Sequence, residues 1–160
     1  MSGKESPGVF AGLDSIYLKS VPIEPSWILS GEPRARSGAH SVSSDAGAST
    51  TVWDCSAGAF NWHFGWDETV LILEGSVKVT SPEGKTTQLS VGDVAYFAAG
   101  AAWRWEISTY VRKLAFCRRP ASRPERLMAA TRRQVTDHWT AIRVAGGLIA
   151  AALALMYVFE

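Results

Sequence analysis

Glu68 stands just ahead of Val70–Leu73, a continuous apolar run that reads as a strand buried on both sides. A carboxylate in that place needs a partner, because an unpaired buried charge is very costly. His63, Arg104 and the Arg112–Lys113 pair are the groups available to it. With His63, Glu68 makes an acid/base pair able to face a small ligand. With Arg112–Lys113 it makes an ion pair that stitches strands together. His63 also has a plainer reading, as a core histidine hydrogen-bonded to Glu68 or to a backbone carbonyl.

The elements that position these residues are short strands. Thr51–Cys55 and Ala59–Phe64 flank Gly58, and along the second Phe60, Trp62 and Phe64 share one face while Asn61 and His63 share the other. Gly75 turns the chain into Ser76–Thr80. Ser81-Pro82-Glu83-Gly84 then has the proline and glycine placement of a type I turn. Thr86–Leu89, Asp93–Phe97, Ala102–Ile107 and Val111–Arg118 complete a set whose spacing indicates an all-β sandwich or barrel. Upstream, Pro22 and Pro25 break two extended pieces between Ser15 and Ser30, as suits an edge strand. Residues 31–50 hold almost no large apolar side chains and read as a long surface loop. Residues 1–19 form an N-terminal arm, flexible or draped over the body. Trp53, Trp62, Trp66, Trp103 and Trp105 carry enough apolar area to fill a barrel, or to floor a pocket for a flat molecule.

Charge is divided along the chain. Residues 1–111 carry seven Lys or Arg against twelve Asp or Glu, a net −5, while residues 112–143 carry nine against two, a net +7. An acidic body is thus followed by a basic neck. Cys55 and Cys117 lack metal-ligand spacing and read as free thiols on two strands in a reducing compartment. No apolar run near the N-terminus resembles a signal peptide, so the body is expected on the cytoplasmic side.

Residues 20–118 resemble the cupin superfamily. The spacing of Glu68 and Gly75 matches the end of the first cupin motif, G(X)5HXH(X)3,4E(X)6G, which places His63 at its second histidine and Asn61 at its first. Gly92 and Gly100 match the second motif, G(X)5PXG(X)2H(X)3N, with Ala98 in place of proline and Trp103 in place of histidine. Within the superfamily the chain is most similar to the ureidoglycine aminohydrolase-type domain. The residues that carry this likeness are Trp53-Asp54-Cys55, Gly58, Phe60, Trp62, Asp67-Glu68, Gly92-Asp93, Phe97, Gly100, Trp103 and Val111-Arg112-Lys113.

The resemblance implies an all-β cupin (double-stranded β-helix, jelly-roll) barrel. Catalytic cupins hold a divalent metal with three His and one Glu, a donor set suited to Mn, Fe, Ni or Zn. Here only Glu68 and His63 keep ligating types, and the Trp103 indole is a donor alone. Two protein ligands do not make a tight site, so no metal or cofactor is expected. Asn61, His63, Glu68 and Trp103 remain as a candidate pocket, and pairing of barrels into a homodimer is a further implication of the resemblance.

Beyond Arg118 the β pattern stops. Residues 119–140 form a basic neck, with Pro124 placed to open a helix. Residues 141–160 read as a single transmembrane helix; the nineteen residues from Ala141 to Phe159, uncharged apart from Arg143, span about 28 Å, close to a hydrocarbon core of about 30 Å. A helix buried in a protein partner is the alternative. Trp139 suits the interface, and Arg143 can snorkel to headgroups. The basic neck sets the cupin domain on the cytoplasmic side by the positive-inside rule and faces anionic lipid headgroups rather than nucleic acid. Gly146, Ala150 and Ala154 form one small-residue row and Gly147 with Ala151 a second, as for helices packing closely in lipid. The expected function is therefore that of a non-enzymatic, membrane-anchored accessory, assembly or regulatory subunit of an integral-membrane complex. A tethered enzyme or a small-molecule sensor acting on a small polar metabolite is the alternative.

Overall fold

The computed structural model describes residues 8–122 together with Glu125. The chain divides into two units, residues 1–120 and 121–160. The first is all-β, as expected from the sequence. Its strands are β1 (Lys19–Ser20), β2 (Ile28–Ser30), β3 (Ala35–Val42), β4 (Ala48–His63), β5 (Asp67–Thr80), β6 (Thr86–Ser90), β7 (Val94–Phe97) and β8 (Ala102–Arg118), with 3-10 turns at Leu13–Ser15 and Pro25–Trp27. They form one antiparallel sheet in the order β1-β3-β4-β8-β5-β6, with β2 added to β4 and β7 to β5.

Three long strands organise this sheet. β4, β5 and β8 have 16, 14 and 17 residues, and β8 lies between the other two, paired with both. Straight strands of that length would run about 50 Å, so they must bend to enclose a core. They do so at register shifts between Ser56 and Gly58, between Ile72 and Glu74, and between Gly75 and Lys78. Gly75 is the residue on which the bend of β5 depends. It has φ +67, and a Cβ there would run into the Tyr110 carbonyl on β8. The glycine that closes the E(X)6G spacing is therefore required by close strand approach.

The enclosed face is aromatic and β-branched. Trp105, Phe60, Phe97, Ile72, Val70, Val77 and Val111 are fully buried. Phe64 stacks on Phe97 at 4.6 Å, and Trp62 meets both Phe60 and Phe64 edge-on. The alternation read in Ala59–Phe64 is thus realised, with Phe60, Trp62 and Phe64 on one face. The Ser81–Gly84 turn also forms, the Gly84 N–H donating to the Ser81 carbonyl at 2.9 Å.

Three expectations change. Residues 35–42, read as part of a loop, form β3, which runs along β4 from Ala35↔Cys55 to Val42↔Ser49. A backbone ladder needs no large side chains, and buried Gly38 gives room for Ile16, Tyr17 and Leu18 to lie over it. The paired short strands expected at 51–64 and 102–118 are each continuous through a bulge. Val70 and Ile72 are buried, but Leu71 and Leu73 are only half-buried, so β5 is covered fully on one face alone. Part of the N-terminal arm is held down: Arg112 donates to the Leu13 carbonyl at 2.9 Å and to Asp14 at 2.7 Å. Residues 1–7 lie outside the described residues.

In the second unit, Ser122 and Glu125 form a reciprocal N-terminal pair. The Ser122 N–H donates to Glu125 Oε2 at 2.6 Å, and the Glu125 N–H to Ser122 Oγ at a long 3.5 Å. This is the capping-box pattern that opens a helix. Among the described residues no helix is long and apolar enough to cross a membrane. The expected span at 141–160, with Trp139, Arg143 and the two small-residue rows, lies outside them.

Replacing Gly75 by Ala tests the bend. The strained φ and the collision with the Tyr110 carbonyl together predict a loss above about 1–3 kcal/mol, seen as a lower midpoint in chemical denaturation. An unchanged midpoint would show that the two strands can part there freely.

Candidate functional site

The site is built from β8, because its inward residues pass between the other two long strands. Trp103, Trp105, Ile107, Val111, Lys113, Ala115 and Cys117 follow the strand's alternation, and Trp105, Ile107, Val111, Lys113 and Ala115 are buried. Lys113 is the one cation in that series. It lies in register with Trp53 on β4 and with Ile72 on β5. Its Nζ donates to Glu68 Oε1 at 2.5 Å, and the two side chains are only 3% and 12% exposed.

Tryptophan faces supply the other walls. The Lys113 ammonium lies 4.7 Å from the centre of the Trp105 ring, 4.9 Å from Trp53 and 6.0 Å from Trp62. Burying an ammonium removes its hydration. One carboxylate and several ring faces offset that loss, each desolvated cation–π contact contributing about 2 kcal/mol. The indole N–H groups of Trp53 and Trp105 are buried and have no hydrogen-bond partner among the described residues. Each such orphan donor costs about 1–3 kcal/mol.

The partner of Glu68 is thus settled among the three weighed from sequence. Arg104 is exposed and pairs with Glu106 at 3.1 Å. Arg112 follows the other face of β8, where it binds Glu74 at 3.0 Å as well as Asp14 and Leu13. Lys113 alone turns inward. His63 is on the side of β4 opposite Phe60, Trp62 and Phe64. It is exposed, with its ring tilted against Trp27 at 4.8 Å. The core-histidine reading and the His63–Glu68 acid/base pair are therefore both replaced. Asn61 shares the face of His63, while Trp103 is inward and meets Phe97 edge-on at 5.3 Å. Of the four candidate-pocket residues, Glu68 and Trp103 face the core and Asn61 and His63 do not.

These residues do not fit a cupin metal centre. Glu68 is engaged by an ammonium, the histidine position nearest to it in the motif faces away, and Trp103 offers no lone pair. Among the described residues, no three His, Cys, Asp or Glu side chains gather as a ligand set. From the sequence, Lys113 stands out only as half of the Arg112–Lys113 basic pair. The signal that could have found it is its place in the alternating series Val111, Lys113, Ala115, a lysine in phase with apolar residues.

Two other polar centres lie around the barrel. Asp54 is almost fully buried. It accepts from Arg36 Nε at 3.0 Å and from the Tyr110 hydroxyl at 3.0 Å. Burial, reinforced by Asp54, pushes the Tyr110 phenol up to about 12. Asp67, the first residue of β5, closes the loop between β7 and β8: it accepts the Ala99 N–H at 3.0 Å and the Tyr96 hydroxyl at 3.1 Å, with Arg118 at 3.6 Å. The Ala99 N–H is the chief cause of an Asp67 pKa below the usual carboxylate range. Both cysteines are free. Burial raises the Cys55 thiol to about 12 and pushes Cys117 upward as well, so neither is a ready nucleophile at neutral pH. A groove of about 620 Å³ runs past Ser49, Asp67, Tyr96, Phe116 and Cys117, and neither Glu68 nor Lys113 lines it.

Comparison with known proteins agrees with this architecture. Residues 42–115 match the model of the EutQ-like cupin domain. No functionally curated protein matches the chain. A crystal structure of a DUF861-family protein of unknown function from Pseudomonas syringae is 25% identical, with a TM-score of 0.59; the match covers 63% of this chain and 44% of that one. The chain therefore spans less than half the length of that protein. A predicted oxalate decarboxylase from Thermotoga maritima shares the fold at 18% identity and a TM-score of 0.51, over 67% of this chain and 96% of its own. A second DUF861-family protein, also from Thermotoga maritima, is 36% identical over 40% of this chain and 73% of its own, with a TM-score of 0.39.

The ion pair makes a distinctive prediction. Lys113→Met or Glu68→Gln alone strips one partner from a buried pair and should cost about 3–5 kcal/mol. The double variant should recover much of that loss in chemical denaturation, whereas purely additive losses would mean the two groups are not coupled.

Asp67 predicts an acid-side effect. Its folded pKa lies below its unfolded value of about 3.9, so its stabilisation is complete above that value and is lost as pH falls through the folded one. Asp67→Asn should therefore unfold more readily at neutral pH and lose part of the acid-side decline. Parallel pH–stability curves for the two proteins would contradict this.

Proposed function

We propose that this chain, a member of the cupin superfamily carrying a EutQ-like cupin domain, works without a metal as an accessory or regulatory subunit of an integral-membrane complex. The observation that carries the metal-independent part is the Lys113 ammonium on Glu68. The motif carboxylate already has its cation, supplied by the chain itself. A divalent ion would have to displace an ammonium held at 2.5 Å among tryptophan faces. The ureidoglycine aminohydrolase-type likeness is the finer assignment within the superfamily, and on this reading its fold is kept for display rather than for turnover.

The membrane part rests on the sequence. The uncharged run within 141–160 and the basic neck before it support a single C-terminal span, with the cupin domain on the cytoplasmic side and anionic headgroups against the neck. The rows Gly146–Ala150–Ala154 and Gly147–Ala151 support packing against helices of the partner complex. The body also offers a surface for protein contact: Val42, Val94, Tyr96 and Phe116 are exposed apolar side chains. Pairing of two barrels would compete with a partner for such a surface.

Extraction from native membranes in mild detergent, followed by affinity purification and elemental analysis, tests both parts. A defined integral-membrane complex should accompany the protein, and the purified chain should carry no stoichiometric Mn, Fe, Ni or Zn. Recovery alone as a clean monomer or dimer would overturn the accessory role. A stoichiometric metal that vanishes in Glu68→Ala would turn the reading to a membrane-tethered enzyme acting on a small polar metabolite.

A further inference from the structure

We infer that the interior of the barrel is a recognition box for a primary ammonium group, and that this chain fills the box with its own Lys113. The inference rests on the reading of Glu68 as the partner of Lys113 rather than of a metal, and it goes further by naming the class of ligand the walls select.

Glu68 supplies one short charged hydrogen bond at 2.5 Å. Trp53 and Trp105 bring their rings to within 4.9 and 4.7 Å of the nitrogen, and Trp62 adds a more distant face. A carboxylate joined to several aromatic faces is the set of groups that holds alkylammonium ions.

The two orphan indole N–H groups bear on why these walls are tryptophan. Trp53 and Trp105 are buried, and neither N–H finds an acceptor among the described residues. Phenylalanine would fill much of the same space without burying an unpaired donor. What tryptophan adds is the ring face with the strongest attraction for a cation. The cost of the orphan donors is thus offset by the face, and it is offset only while a cation lies against it. Lys113 reaches that place along β8 from directly opposite Trp53, so the box is closed to outside amines as long as the lysine is present.

The test uses the full chain with Lys113→Ala, which deletes three methylenes and the ammonium. n-Propylammonium chloride replaces those atoms. It should raise the unfolding midpoint of the variant, by about 5 °C at ten times its Kd and further with the logarithm of concentration, and leave the wild type unmoved. 1-Propanol at the same concentration should do far less, and Lys113→Ala/Glu68→Gln should lose the response. Equal stabilisation by propanol, or none by the amine, would overturn the inference while leaving the metal-free reading intact. A manganese or zinc chloride response of the wild type itself would instead remove that underlying reading.

Should Lys113→Ala fail to fold, a second comparison decides. Trp53→Phe should lower the midpoint in the wild type but leave it unchanged or raise it in a Lys113→Met background, where the orphan N–H has no cation to offset it. Equal losses in both backgrounds would mean that the tryptophan serves only as filler.

Discussion

A buried ammonium imposes conditions on everything around it, and Lys113 shows how many elements are needed to meet them. It must have a carboxylate within hydrogen-bond reach, which fixes the start of β5 against the end of β8 through Glu68. It must be screened by groups that tolerate a cation without water, which places Trp53 and Trp62 of β4 and Trp105 of β8 around it. These residues come from three strands that must bend to bring them together. The bend of β5 in turn requires a residue without a side chain at Gly75. Fold and site are therefore one problem here, since the pair can exist only inside the curved sheet.

The opposite face of the same strands repeats the pattern at the periphery. Arg112, next to Lys113, clamps Glu74 and the turn at Leu13–Ser15. Asp54, next to Trp53, is bound by Arg36 and Tyr110. Adjacent residues on β4 and β8 thus serve opposite sides of the sheet, and each side pairs its own charges. Because exposure differs, the two sides differ in weight. The inner pair is shielded from salt and water, while Arg36 and Asp14 remain in contact with solvent.

Much of this was legible in the residues and some was not. The all-β class followed from turn glycines and strand spacing, and the phase of Phe60, Trp62 and Phe64 followed from simple alternation. Glu68 was recognisable as a carboxylate in need of a cation. Its partner was harder, because sequence order brings Arg112 and Lys113 forward together, and only the phase of β8 separates them. His63 misled for a related reason: a motif alignment assigns it a role, whereas the alternation places it across the strand from the core aromatics. β3 escaped notice because small polar residues carry no apolar signal, although their backbone groups pair as well as any others.

The carboxylate that would ligate a metal in a catalytic cupin is held here by the chain's own Lys113. Anomalous diffraction from crystals of the full chain grown with manganese chloride addresses it directly. The prediction is continuous density from the Lys113 side chain to Glu68, with no anomalous peak beside that carboxylate. An ordered manganese on Glu68, with Lys113 turned away from the three tryptophans, would contradict it.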